Sequence, residues 1–322
     1  MALETETALD RRHLRRRLTL WRILAFIAAL LAIALFARSG EDGLGWGERR
    51  QIARVSIEGI ITEDRDQLRL LKKLARNRQV AAVILFINSP GGTTSGGEAL
   101  FEAIRDLAKA KPVVAQFGTI ATSAAYIAGL ASDQIVARGN TITGSVGVIF
   151  QWVEVSQLLD KLGVKMNEIK SGPLKANPSP FQPLDEAGKT VAEEMVAESK
   201  RWFVGLVAAR RGVDTAAIAG LEQGRVFSGR EALLNRLVDR IGGEAEAVKY
   251  LEEKRDLPKD LGIVDWKPKR DSDWSIVHML NEAFGRLLGV QAGALGRLLS
   301  DDQTLGRLRL DGLVSVWQAS ER

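Results

Sequence analysis

The 322-residue sequence predicts an α/β domain of stacked β–α units around a mostly parallel sheet, preceded by one N-terminal transmembrane helix. Three observations predict it: an arginine-rich leader running into an uncharged apolar stretch, strand-like and amphipathic helical segments alternating through the body, and glycine- or serine-rich turns where predicted strands end.

The leader, residues 1–22, carries Arg11, Arg12, Arg15, Arg16, Arg17 and Arg22. The apolar stretch Ile23–Ala37 follows, with Trp21 at its entry and Arg38 after it. At about 1.5 Å per residue it spans ~22 Å, short of a ~30 Å hydrocarbon layer, and the flanking arginines and tryptophan can make up the difference at the interface. The A-x-A triplets, such as Ala32–Ala34, lie inside the apolar core, which favours an uncleaved signal anchor over residues 23–38 against a cleaved signal or a core helix. The positive-inside bias places the leader in the cytoplasm and the body on the periplasmic or extracytoplasmic side of the inner membrane.

Residues 39–51, rich in glycine and charge, read as a linker, and the folded domain is expected over residues 52–255. Strands are expected at Ile52–Ile57, Val80–Ile87, Val113–Phe117, Gln134–Ala137, Val146–Phe150 and Val164–Ile169. Helices are expected at Asp66–Asn77, Gly97–Ala110, Val155–Leu162, Asp185–Arg211 and Glu244–Lys254. Gly224–Gly243 reads as turn, helix, short strand and turn. Residues 256–322 form a C-terminal extension, irregular to Ser275 and then with leucines and valines at helical spacing. That spacing suits packing on the domain or a neighbouring subunit better than membrane-surface attachment.

Composition narrows the chemistry. Cysteine is absent and histidine occurs only at His13 and His278, which removes thiol nucleophiles and weighs against a histidine-dependent triad. The formal charge of +5 owes much to the leader, and no interleaving of aromatic and basic residues accompanies it, so nucleic acid is not expected as a partner.

Three segments could carry a reaction. Asn88-Ser89-Pro90-Gly91-Gly92 follows a buried-type strand, and its two glycines can turn amide N–H groups toward an oxyanion or a phosphate; the segment is also compatible with a plain tight turn. The phosphate option lacks a following lysine–serine pair. Thr122-Ser123-Ala124-Ala125 sets a serine among small residues at the start of an apolar helix, as a nucleophile or simply an N-cap. Ser171-Gly172-Pro173-Leu174-Lys175 offers a lysine, either a surface charge or a general base made neutral by apolar burial and positive neighbours. Ser145, in Thr143-Gly144-Ser145-Val146-Gly147, could orient such a lysine or mark a turn.

In order and context these segments resemble the short form of the signal peptide peptidase A family. The resemblance runs from about Val55 to Gly243 and rests on Ile87–Gly92, Ala121–Ala128, Ile142–Ile149, Ile169–Lys175 and Gly224–Gly229. It implies a Clp protease/crotonase-like fold and a serine peptidase with no cofactor or metal, in which Ser123 is the nucleophile and Lys175, 52 positions later, the base. It further implies an oxyanion hole from Gly91 or Gly92 with the Ala124 amide, and Ser145 in support. Released signal peptides and other small apolar peptides are the implied substrates, and a homo-oligomer the implied assembly, with each dyad completed between neighbouring subunits. Ala124 and Ala125 stand where the family often has glycine, and nothing from the family carries over beyond residue 256. A catalytically inactive membrane-anchored scaffold and a crotonase-like acyl-CoA enzyme are the alternatives; the signal anchor weighs against the latter.

Overall fold

The computed structural model describes residues 20–28, residues 50–269 and, for the backbone alone, residues 312–316. The chain divides into two units at Arg49/Arg50. In the first, residues 20–28 are helical, with Leu20, Trp21, Ile23, Leu24, Phe26 and Ile27 exposed. Most of the expected span, residues 29–38, lies outside the described residues, among which no helix is long and apolar enough to cross a membrane.

The second unit contains a ten-stranded mixed sheet. Its centre is β2 (Val80–Thr93), paired in parallel with β1 (Gln51–Ile61) on one edge and β3 (Val113–Thr122) on the other. Along its outer edge β3 meets β4 (Gln134–Ala137) first and β5 (Ile142–Gly144) beyond it, both parallel. β6 (Ile149–Gln151) lies elsewhere in the sheet, and β7 (Val226–Ser228) pairs antiparallel with β5. β8 (Arg240–Ile241) extends β4 and β9 (Ile263–Asp265) extends β1, both in parallel.

Continuous burial along Val80–Leu85 identifies a strand covered on both faces, as parallel sheets require. Alternate side chains serve the two faces. Val83, Leu85 and Ile87 join one core with α1 (Arg65–Arg76), α2 (Thr94–Ala110) and α3 (Ala124–Leu130), while Ala82 and Ile84 join a second core with Ala247 and Leu251. These last two belong to α7 (Glu244–Lys254); α4 (Ser156–Lys161), α5 (Glu186–Arg211) and α6 (Gly229–Leu234) complete the helices. Tyr126 of α3 is fully buried, its ring edge-on to Phe117 and its hydroxyl donating to the Leu237 carbonyl at 2.8 Å.

Several segments differ from the sequence expectation: Val80–Ile87 continues to Thr93, and of Val146–Phe150 only Ile149 and Phe150 lie in a strand, β6. Val164–Ile169 forms no strand: its apolar residues Val164, Met166 and Ile169 are all exposed and, among the described residues, meet no neighbouring ladder. Val113–Phe117 continues to Thr122, so that β3 itself delivers the serine. The extension contributes β9 within its expected irregular part and β10 (Gly312–Val316) within its expected helical part.

Because Tyr126→Phe removes a buried donor and strands the Leu237 carbonyl, it should lower unfolding free energy by about 1–2 kcal/mol in urea titrations without changing the far-ultraviolet spectrum.

Candidate active site

Ser123 occupies the single position between the end of β3 and the start of α3. Its backbone has φ 60° and ψ −122°, a region that side chains with a Cβ rarely enter. The conformation is held from both sides: the Ser123 N–H donates to the Gly144 carbonyl at 2.9 Å, and the Ser123 carbonyl accepts from Ile127 N–H at 3.0 Å. Such a sharp strand-to-helix turn pushes one side chain away from the sheet and helix axes and toward the strand ends. Ser123 is 1% exposed, and every residue of α3 behind it is buried.

Threonine hydroxyls fix the strand ends on either side. Thr122 Oγ1 donates to the Pro90 carbonyl (3.1 Å), Thr143 Oγ1 to the Ala121 carbonyl (2.7 Å) and Thr141 Oγ1 to the Gly118 carbonyl (2.7 Å). Asn88 Oδ1 accepts from the Thr119 and Ile120 amides where the β2–β3 register shifts. Asn88 lay within a sequence segment singled out for its glycines; a polar residue closing a buried strand was the signal for its clamping role.

The Gly91–Gly92 strand end is brought to the same place, since Ser89 pairs with Ala121. Gly91 has φ 111°, and a Cβ on Gly92 would lie 1.8 Å from the Ile61 carbonyl oxygen, so neither position tolerates a side chain. The Gly91 N–H donates to Ser89 Oγ at 3.0 Å. In this state that amide is committed within its own loop. Ala124 is the first residue of α3, where an amide has no acceptor within the helix. Ser145 is brought beside the serine through Gly144; it too has positive φ, 52°, and its N–H donates to the Arg225 carbonyl at 3.0 Å.

Lys175 is placed differently. It is exposed, in a turn closed by its N–H donating to Gly172 O at 3.1 Å, and it lines an open cleft of about 490 Å³ with Glu168, Ile169, Lys170 and Ser171. Among the described residues no hydrogen bond joins it to Ser123. Its turn is tethered to α5, because Asn177 Nδ2 donates to Asp185 Oδ1 at 2.8 Å. The Gly188 amide, and after it Asn177, hold the Asp185 carboxyl below the usual carboxylate range.

A buried serine on a strained turn, next to a glycine-only strand end, is an arrangement that serine hydrolases use. Comparison with known proteins makes the class specific. Residues 105–258 match the model of peptidase family S49, and residues 54–140 match that of Clp protease. A protein of Enterococcus faecium with the provisional name signal peptide peptidase SppA is 32% identical over 80% of this chain and 78% of its own. A provisionally named protease of Methanocaldococcus jannaschii is 32% identical over 73% of this chain and 80% of its own. Protease 4 of Haemophilus influenzae is 32% identical over 67% of this chain and 37% of its own. The chain belongs to peptidase family S49 and is a serine peptidase.

The strain at Ser123 has a measurable consequence. Glycine suffers no Cβ penalty there, so Ser123→Gly should be more stable than Ser123→Ala by about 1 kcal/mol in urea unfolding, the reverse of the usual order.

Proposed function

We propose that the protein is a membrane-anchored endopeptidase that hydrolyses released signal peptides and other small apolar peptides, with Ser123 as nucleophile and Lys175 as general base. The observation that carries the reading is the strained, buried turn at Ser123, a conformation retained at a cost of about 1–3 kcal/mol. The Lys175 amine takes the hydroxyl proton as Oγ attacks the peptide carbonyl. The oxyanion is received by the Ala124 amide and an amide of the Gly91–Gly92 turn, the Gly91 amide exchanging its bond to Ser89 Oγ for one to the oxyanion. The lysine returns the proton to the leaving amine, and water then hydrolyses the acyl-enzyme. Ser145, next to the carbonyl that holds the nucleophile, orients the lysine.

The lysine comes from a second copy of the chain. Two features support this: Lys175 is exposed on its turn whereas Ser123 is 1% exposed, and the segment that carries the lysine leaves Val153, Leu158, Leu162, Val164, Met166, Ile169 and Leu174 exposed. So many apolar side chains over some twenty residues are a surface suited to burial in a homo-oligomer. The exposed, mostly apolar helix at residues 20–28, which carries Arg22 and follows five further arginines, supports anchoring with the peptidase unit on the extracytoplasmic side of the inner membrane.

Ser123→Ala and Lys175→Ala should each lower peptide hydrolysis by at least about 10⁴-fold and abolish labelling by a fluorophosphonate probe. Labelling of Lys175→Ala at the parent rate would remove lysine from the role of base. Mixing the two inactive variants under subunit exchange should restore part of the activity, because some interfaces then pair an intact serine with an intact lysine. An assembly that exchanges subunits yet stays inactive would place both groups of the dyad in one chain.

A further inference from the structure

The parallel strands give the second unit two unlike ends. Ser123 lies at the end toward which β1, β2 and β3 run; the end from which they start is built from Arg50–Gln51, the α1–β2 turn and the α2–β3 turn. Hydrogen bonds hold these three segments together: the Gln51 N–H donates to the Gln79 carbonyl at 2.8 Å, and Lys111 Nζ donates to the Val80 carbonyl at 2.6 Å and to the Asn77 carbonyl. Arg50, Arg76, Arg78 and Lys109 stand exposed around the junction. Lys109 pairs with Asp106 at 2.8 Å, whereas Arg50, Arg76 and Arg78 have no ion pair or side-chain hydrogen bond among the described residues. Asp133, at the start of β4, is taken by Arg255 and the Val113 amide. The loop to β9 reaches the same end, where the Ile52 N–H donates to the Gly262 carbonyl at 3.0 Å, and its Asp256 and Asp260 alternate with Arg255 and Lys259. The like charges are crowded: burial, and after it repulsion from Arg50, hold the Lys111 ammonium below the usual lysine pKa. Basic residues in a last helical turn complement the helix dipole, but Arg50 and Arg78 lie outside any helix. At the other end of β1 the balance reverses, with Glu58, Glu63, Asp64 and Asp66 against Arg65.

We propose that this basic end binds the anionic headgroups of the bilayer in which the chain is anchored, and so points the Ser123 opening away from the membrane. The proposal rests on the anchoring reading. The chain enters the second unit at Arg50, so residues 39–49, at most about 40 Å long when extended, tether the basic end and not the acidic one. A basic surface beside a membrane tether is drawn to anionic lipid, each Lys or Arg near the headgroups raising association about fivefold. The headgroup phosphates supply the counter-charge that Arg50, Arg76 and Arg78 lack, and the acidic end of β1 is repelled from the same surface. β3 has ten residues, so the opening at its far end stands roughly 30 Å farther from the headgroups. There it meets peptides that have already left the bilayer.

The chain has no cysteine, so Gln79→Cys in the full-length protein carries a single fluorophore at the basic end, and Glu63→Cys one at the acidic end. Both positions are exposed. In phosphatidylglycerol-rich vesicles with a headgroup quencher, the label at position 79 should be quenched at least about twofold more than in phosphatidylcholine vesicles, and molar salt should abolish the difference. The label at position 63 should stay bright in both. Arg50→Gln, Arg76→Gln and Arg78→Gln together should weaken association with the anionic surface about 100-fold and leave quenching at the phosphatidylcholine level. Equal quenching in the two lipids, quenching at position 63 instead, or a triple variant that behaves as the parent would each overturn the basic surface. Washing with alkaline carbonate separates this proposal from the anchor. A protein that the wash strips from the vesicles, yet whose label at position 79 still prefers phosphatidylglycerol at neutral pH, keeps the surface and loses the anchor.

Discussion

The hydrogen bond from the Ser123 N–H to the Gly144 carbonyl is the constraint on which the site depends. A serine at φ 60° and ψ −122° relaxes unless its neighbours forbid it, and here the neighbours are a parallel strand before, a wholly buried helix after and a second strand, β5, alongside. The Thr143 hydroxyl on the Ala121 carbonyl binds β5 to β3 just before the turn, and Asn88 binds β3 to β2 at the register shift. The register of three strands thus becomes the position of one hydroxyl.

The same geometry explains why the Gly-Gly end of β2 belongs with the serine. β2 and β3 stop pairing two residues before each reaches its special position, so the two strand ends diverge around a shared opening. On the β2 side the opening is bounded by backbone that cannot carry a Cβ at Gly92, where the Ile61 carbonyl lies too close. A strand edge left without its partner at that place is also where an added strand is most readily received, and β10 shows a strand fitting there.

Much of this was legible in the sequence where one physical signal dominated. Gln134–Ala137 and Glu244–Lys254 have the predicted bounds, and Asp185–Arg211 begins one residue early because Asp185 is the N-cap, its carboxylate accepting from Gly188 N–H. Ser123 and the glycines stood out as small residues at strand ends, open to an N-cap and a plain turn until the family resemblance singled them out. Val164–Ile169 misled because its apolar residues suit a strand, yet among the described residues no strand pairs with them. β5 and β10 are short strands whose existence depends on distant partners, Ile120–Thr122 for one and Gly91–Thr93 for the other, and no local pattern encodes such pairing. Lys175 could be named from its family motif alone, since in a single copy it is an exposed side chain on a turn.

Under the proposed mechanism the buried Ser123 hydroxyl needs an amine within reach, and assembly would bring the exposed Lys175 of a neighbouring copy to it. The most direct measurement is therefore the separation of Ser123 Oγ from the nearest Lys175 Nζ in an experimentally determined structure of the full-length oligomer. The account predicts about 3 Å, within hydrogen-bonding reach, with the two groups contributed by adjacent copies. A separation of about 6 Å or more in every pair of copies, or a different base within reach of Oγ, would contradict it.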